Sequence, residues 1–108
     1  MRFLCLSAIA SIFFLSTHAN AWSDLDRMKL SMALGDVLSS EKPCGLSYKQ
    51  EAISKFIDSK VPATDMDFTS DLDMQTQGRA IMLQDMSESS KTAHCRQIER
   101  VAKSYGFI

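Results

Sequence analysis

The chain has only three valines in 108 residues, and no stretch alternates apolar and polar residues over the length of a strand, so β-sheet has little to be built from. Neither sign of charge dominates. Twelve Lys and Arg meet 13 Asp and Glu, interspersed along the sequence, which argues against a dedicated nucleic-acid surface. No Gly-rich phosphate loop occurs, no Cys-x-x-Cys pair lowers a thiol pKa, and His94 is the only histidine after residue 21. No nucleophile, base and orienting residue can be named together, so the sequence offers no catalytic and no cofactor-binding residue. The longest uncharged apolar run, Phe3 to Leu15, covers 13 residues, well short of the roughly 20 a membrane-spanning helix needs.

That short run is nonetheless informative. Arg2 precedes it, and Ala19-Asn20-Ala21 follows it with the small-x-small pattern a signal peptidase accepts, so residues 1–21 read as a cleavable signal peptide with Trp22 as the first mature residue. Cys5 lies inside the apolar run and would leave with the peptide. Taking 21 from 108 leaves 87 residues, 22–108, enough for one domain. Arg2 is one of the 12 basic residues, so 11 remain against 13 acids, a formal charge of −2. Export predicts a periplasmic or secreted protein, without a stable membrane anchor. Cys44 and Cys95, 51 positions apart, are then an even pair in a short secreted chain and predict a disulfide.

Ala, Leu, Met and Lys are plentiful and apolar residues recur at helical spacing, which predicts an all-α fold: a small bundle of four short helices, or five if Gly78 divides the third. Ser23 is placed to cap the first, with Leu30, Ala33, Leu34, Val37 and Leu38 as its apolar stripe and Pro43 marking its end. Gly35 weakens this helix by about 1 kcal/mol unless a neighbour packs closely there. Ser47 and Gln50 form an S-x-x-Q capping box for the second, carrying Ala52, Ile53, Phe56 and Ile57 and stopped by Pro62. Thr64 or Asp65 opens the third. Its apolar residues Phe68, Leu72, Ile81, Met82, Leu83 and Met86 drift around the axis. Ser87 caps the last, where Cys95, Ile98, Val101, Ala102 and Tyr105 share a face that would bury the bridge. Gly106 suits the position past its end, with Phe107 folding back as the apolar contact of a Schellman cap.

Several constellations invite chemistry and have plainer explanations. Asp65, Asp67, Asp71 and Asp73 lack the Gly and Glu positions of a calcium loop and fit a helix start better, so no metal ligand is assigned. His94 reads as a partly exposed histidine on the last helix. Met28 with Met32, and Met82 with Met86, are i, i+4 pairs whose thioethers would suit copper(I), although Leu and Ile neighbours favour core packing. Arg96, Arg100 and Lys103 line one side of the last helix, facing solvent, the Asp65 to Asp73 carboxylates, or an acidic partner.

The stretches Pro43-Cys44-Gly45-Leu46-Ser47-Tyr48, Asp85-Met86-Ser87, Lys91-Thr92-Ala93-His94-Cys95 and Arg100 to Ile108 resemble a group of small secreted one-disulfide proteins of rhizobia-like alphaproteobacteria. Some of these carry the label "signal recognition particle", a role that an acidic exported chain without an RNA-binding surface does not fit. The resemblance implies periplasmic residence and no active site. A looser architectural likeness is to HdeA-type periplasmic acid-stress chaperones, also short, helical and pinned by one disulfide. Three expectations follow: a non-enzymatic protein that binds an envelope protein, an unfolded client or another apolar ligand through a helical groove; an acid-stress chaperone; or a methionine-based copper(I) carrier.

Overall fold

The computed structural model describes residues 21–108; the expected cleavage motif lies partly outside this range, at Ala19 and Asn20. Four helices follow one another: α1 (Asp24–Ser39), α2 (Gln50–Lys60), α3 (Phe68–Gln84) and α4 (Glu88–Ser104), with no strand among the described residues. The expected all-α bundle is what forms.

α1 begins in a capping box: the Ser23 hydroxyl accepts from the Asp26 N–H at 3.2 Å, and the Asp26 carboxylate accepts from the Ser23 N–H at 2.9 Å. Its buried arc is wider than the predicted stripe. Leu34 and Val37 are buried, Leu30 and Leu38 half-buried and Ala33 exposed, while Ser31 and Gly35 are buried on a second side. That second side faces α3. A Cβ on Gly35 would stand 2.9 Å from the Gln75 Cβ and 3.2 Å from the Thr76 nitrogen, so the missing side chain is what lets the two helices meet. Asp36 pairs with Arg79 at 3.5 Å one turn on, and Arg27 lies near Asp65 and Asp71 at the other end, so α1 and α3 run side by side in the same direction.

After α1 the chain makes one further turn, closed by Gly45 at φ +65°, where Leu46 N–H reaches the Glu41 carbonyl at 2.8 Å and Gly45 N–H the Lys42 carbonyl at 3.0 Å. α2 does not start from the expected Ser47–Gln50 box. Its amino-terminal cap is Lys49, without a side-chain hydrogen bond, because the preceding residues are tied sideways into the fold. Tyr48 N–H donates to Glu41 at 2.7 Å, the Tyr48 hydroxyl to the Val37 carbonyl at 2.8 Å, and Lys49 N–H to the Phe107 carbonyl at 2.8 Å. These tertiary bonds hold residues 46–49 outside the helix and leave Ser47 exposed. Burial, and secondarily the Glu41 charge, push the Tyr48 pKa up to about 12, so it remains a donor at physiological pH.

α3 begins at Phe68, later than Thr64 or Asp65, and continues unbroken through Gly78. Asp65 stands two residues ahead of the cap, its carboxylate tied to α1 and to the Asp67 N–H, and the buried Phe68, Leu72 and Leu83 hold both halves of one helix. α4 starts as expected, the Ser87 hydroxyl accepting from Ser90 N–H at 3.2 Å. It ends in a Schellman closure: Gly106 has φ +79°, its N–H reaches the Lys103 carbonyl at 3.0 Å, and Phe107 N–H the Ala102 carbonyl at 2.9 Å. Phe107 is thereby driven into the core beside Leu34, Val37, Tyr48, Phe68, Leu72, Ile98 and Ala102. Tyr48, Phe56 and Tyr105 surround its ring at centroid distances of 5.7, 5.6 and 5.5 Å.

Cys44 and Cys95 form the disulfide, Cα atoms 5.3 Å apart, joining the turn after α1 to α4. It is half-buried, not buried as the apolar face of α4 suggested. On its outer side the bridge meets the exposed Pro43 and Lys91 at a shallow depression that no helix covers.

Candidate functional site

Helical spacing places Leu25, Met28 and Met32 together on α1, and Met74, Gly78 and Ile81 together on α3 with Met82 beside them. These six large side chains are exposed, Met74 by 69 %, and Met66 just before α3 by 82 %. The expectation that Met28, Met32 and Met82 would fill the core is therefore wrong. Ser31, Leu34, Gly35 and Val37 occupy the inward arc of α1, and the close approach at Gly35 turns the larger residues outward. Met86 is half-buried. Leu25, Met28 and Met74 line one groove of about 460 Å³ between α1 and α3, with Asp24, Arg27 and Asp71 as its charged walls.

Arg27 is fixed by the residue the acidic cluster contributes most usefully. Asp65 is 5 % exposed; it accepts from Arg27 Nε at 2.8 and 3.0 Å, from the Trp22 indole N–H and from Asp67 N–H at 3.0 Å. The Arg27 bond, then the Trp22 bond, hold its pKa below the ordinary carboxylate value despite burial. Asp67 is the backbone cap of α3, Asp71 sits 4.0 Å from Arg27, and Asp73 accepts from Gln77. The cluster is thus distributed over separate structural tasks. Among the described residues no group of three or more His, Cys, Asp or Glu could hold a metal ion. The basic residues of α4 do not meet these aspartates: Arg96 and Lys103 pair with Glu99 at 3.6 and 3.3 Å, and Arg100 with Gln97.

A second hollow, about 790 Å³ and open, lies between α2 and the end of α4. Phe56 and Tyr105, ring centroids 4.5 Å apart, give it an apolar wall, with Lys49 and Lys55 at its edge. His94 supplies a contact that no sequence spacing announced, since Ser40 is 54 positions away: Nε2 stands 2.8 Å from the Ser40 hydroxyl. The separation is that of a nucleophile and its base, yet Ser40 is fully buried and its proton is directed to the Asp36 carbonyl at 2.7 Å. Ser40 is therefore the acceptor, and the pair is a tie between α1 and α4.

No described helix is long and apolar enough to cross a membrane. Compared with models of protein families, with curated proteins and with solved structures, the chain gives no significant match.

Proposed function

We propose that this is an exported, non-enzymatic protein of the periplasm or cell exterior that holds an apolar segment of another polypeptide on the methionine-rich face of α1 and α3. The observation that carries the proposal is the exposure of Leu25, Met28, Met32, Met74, Ile81 and Met82 on two adjacent helices. Leaving so much large apolar surface in water is costly, and such surface marks interaction sites. Methionine adds adaptability, since its flexible thioether fits varied apolar partners. The disulfide and the amino-terminal motif support export, as does the resemblance to small secreted alphaproteobacterial proteins.

The test is suppression of aggregation of a reduced, unfolded model protein at neutral pH. The native protein should suppress it in proportion to concentration, and a Met28→Lys, Met74→Lys double variant should not, with helicity retained because both positions are exposed. Equal suppression by both, or none by either, overturns the reading.

A second reading, the acid-stress chaperone of HdeA-like architecture, is favoured by Asp65. Below about pH 3 the 13 carboxylates become neutral and leave 11 basic side chains and His94, near +12, while Asp65 loses the charge that holds Arg27 and Trp22. Apolar dye binding and client protection should then rise on acidification to about pH 2 to 3. An intact fold with neither response dismisses it.

A further inference from the structure

We infer that Met82, Met86 and His94 form a binding site for a soft monovalent cation, copper(I) being the chemical fit. The three side chains come from α3, the turn after it and α4, and they line one cavity of about 70 Å³ with Asp36, Arg79 and Leu83. That volume is far below the several hundred Å³ of a pocket for an organic ligand, which leaves room only for water or a small ion.

The ligand chemistry is set by the hydrogen bonds around it. The Ser40 proton goes to the Asp36 carbonyl, so the Ser40 oxygen accepts from His94 Nε2–H. With its proton on Nε2 the imidazole keeps a lone pair on Nδ1, which makes no hydrogen bond among the described residues and is open to solvent. Two thioethers and one imidazole nitrogen are neutral, soft to borderline donors, which suit copper(I) and disfavour calcium and magnesium. The nearby charges do not add a hard anionic ligand, because Asp36 is engaged by Arg79 at 3.5 Å. The Ser40 contact is the outer tie that fixes the imidazole, as metal-binding histidines require. This site lies apart from the Leu25–Met28–Met74 groove but shares the exposed Met82 with the methionine-rich face proposed above.

The test is anaerobic transfer of copper(I) to the oxidised native protein from a chromophoric chelator. One equivalent should move. Met86→Leu and His94→Ala should each weaken binding about tenfold or more, while Met28→Leu, with an exposed thioether elsewhere, should change it less than about twofold. No transfer, unchanged affinity in Met86→Leu, or an equal loss in Met28→Leu overturns the inference. Silver(I) added to unmutated protein labelled at the methionine methyls avoids any folding defect: the signals of Met82 and Met86 should move and those of Met28, Met32, Met66 and Met74 should stay. Movement spread over all six overturns it.

Discussion

Asp65 gathers three kinds of donor onto one nearly buried carboxylate: a guanidinium, an indole and a backbone amide. Its pKa is lowered in the fold, so its contribution to stability is present above the unfolded carboxylate pKa and is lost as pH falls through the folded one. Asp65→Asn is thus expected to lower the urea midpoint at pH 7, and the gap between variant and native protein should close as pH drops well below about 4. A gap that stayed constant down to pH 2 would show that the carboxylate charge is irrelevant. The two helical glycines give a sharper contrast. Gly35→Ala forces a methyl against the Gln75 Cβ and the Thr76 backbone and should cost about 1–3 kcal/mol, whereas Gly78→Ala meets nothing within 4 Å and should gain up to about 1 kcal/mol through helix propensity. Thermal melts of the two variants should therefore move in opposite directions. The sequence posed the Gly35 question correctly, as a weak point unless a helix approached, but which helix approached depends on a register between α1 and α3 that no local pattern encodes.

At the scale of elements, legibility followed how local the determining bonds are. The starts of α1 and α4 and the end of α4 rest on Ser23, Ser87 and Gly106, each bonding within a few residues, and each was readable. The starts of α2 and α3 were misread because their neighbours are bonded across the fold: Lys49 to Phe107, Tyr48 to Glu41 and Val37, and Asp65 to Arg27 and Trp22. The same division holds for the candidate sites. Methionine pairs at i, i+4 were visible, but their exposure follows from the close α1–α3 approach, and the meeting of His94 with Ser40 and Met86 is wholly tertiary. Gly106 tests the local class. At φ +79° a side chain costs about 1–2 kcal/mol, and nothing lies within 4 Å to add a clash, so Gly106→Ala should destabilise by that backbone amount alone. Gly106→Asn, which tolerates the left-handed region better, should fall between the two in a denaturation series. An alanine variant as stable as the native protein would mean that the closure is not what seats Phe107.

Across the whole molecule, the helices share one modest core while α2 contributes no fully buried residue, so packing alone leaves little margin. The bridge between Cys44 and Cys95 closes a long span, from the turn after α1 past all of α2 and α3 to α4. For a separation of 51 residues the chain-entropy model removes about 4 kcal/mol of freedom from the unfolded state, a large share of the roughly 5–15 kcal/mol of a typical domain. The half-buried position of the bridge leaves it accessible to a small thiol reductant at neutral pH. Reduction, or a Cys44→Ser, Cys95→Ser double variant, should therefore shift the urea midpoint down by about 2 M or more, given a slope of roughly 1–2 kcal/mol per M for a chain of this size. The two treatments should agree, because both act on the unfolded ensemble and leave the native contacts of Phe107 and Leu34 in place. A midpoint within about 0.3 M of the oxidised protein would place the stability in the packed core instead. It would also remove the physical reason for this fold to need an oxidising compartment, and with it the strongest structural support for export.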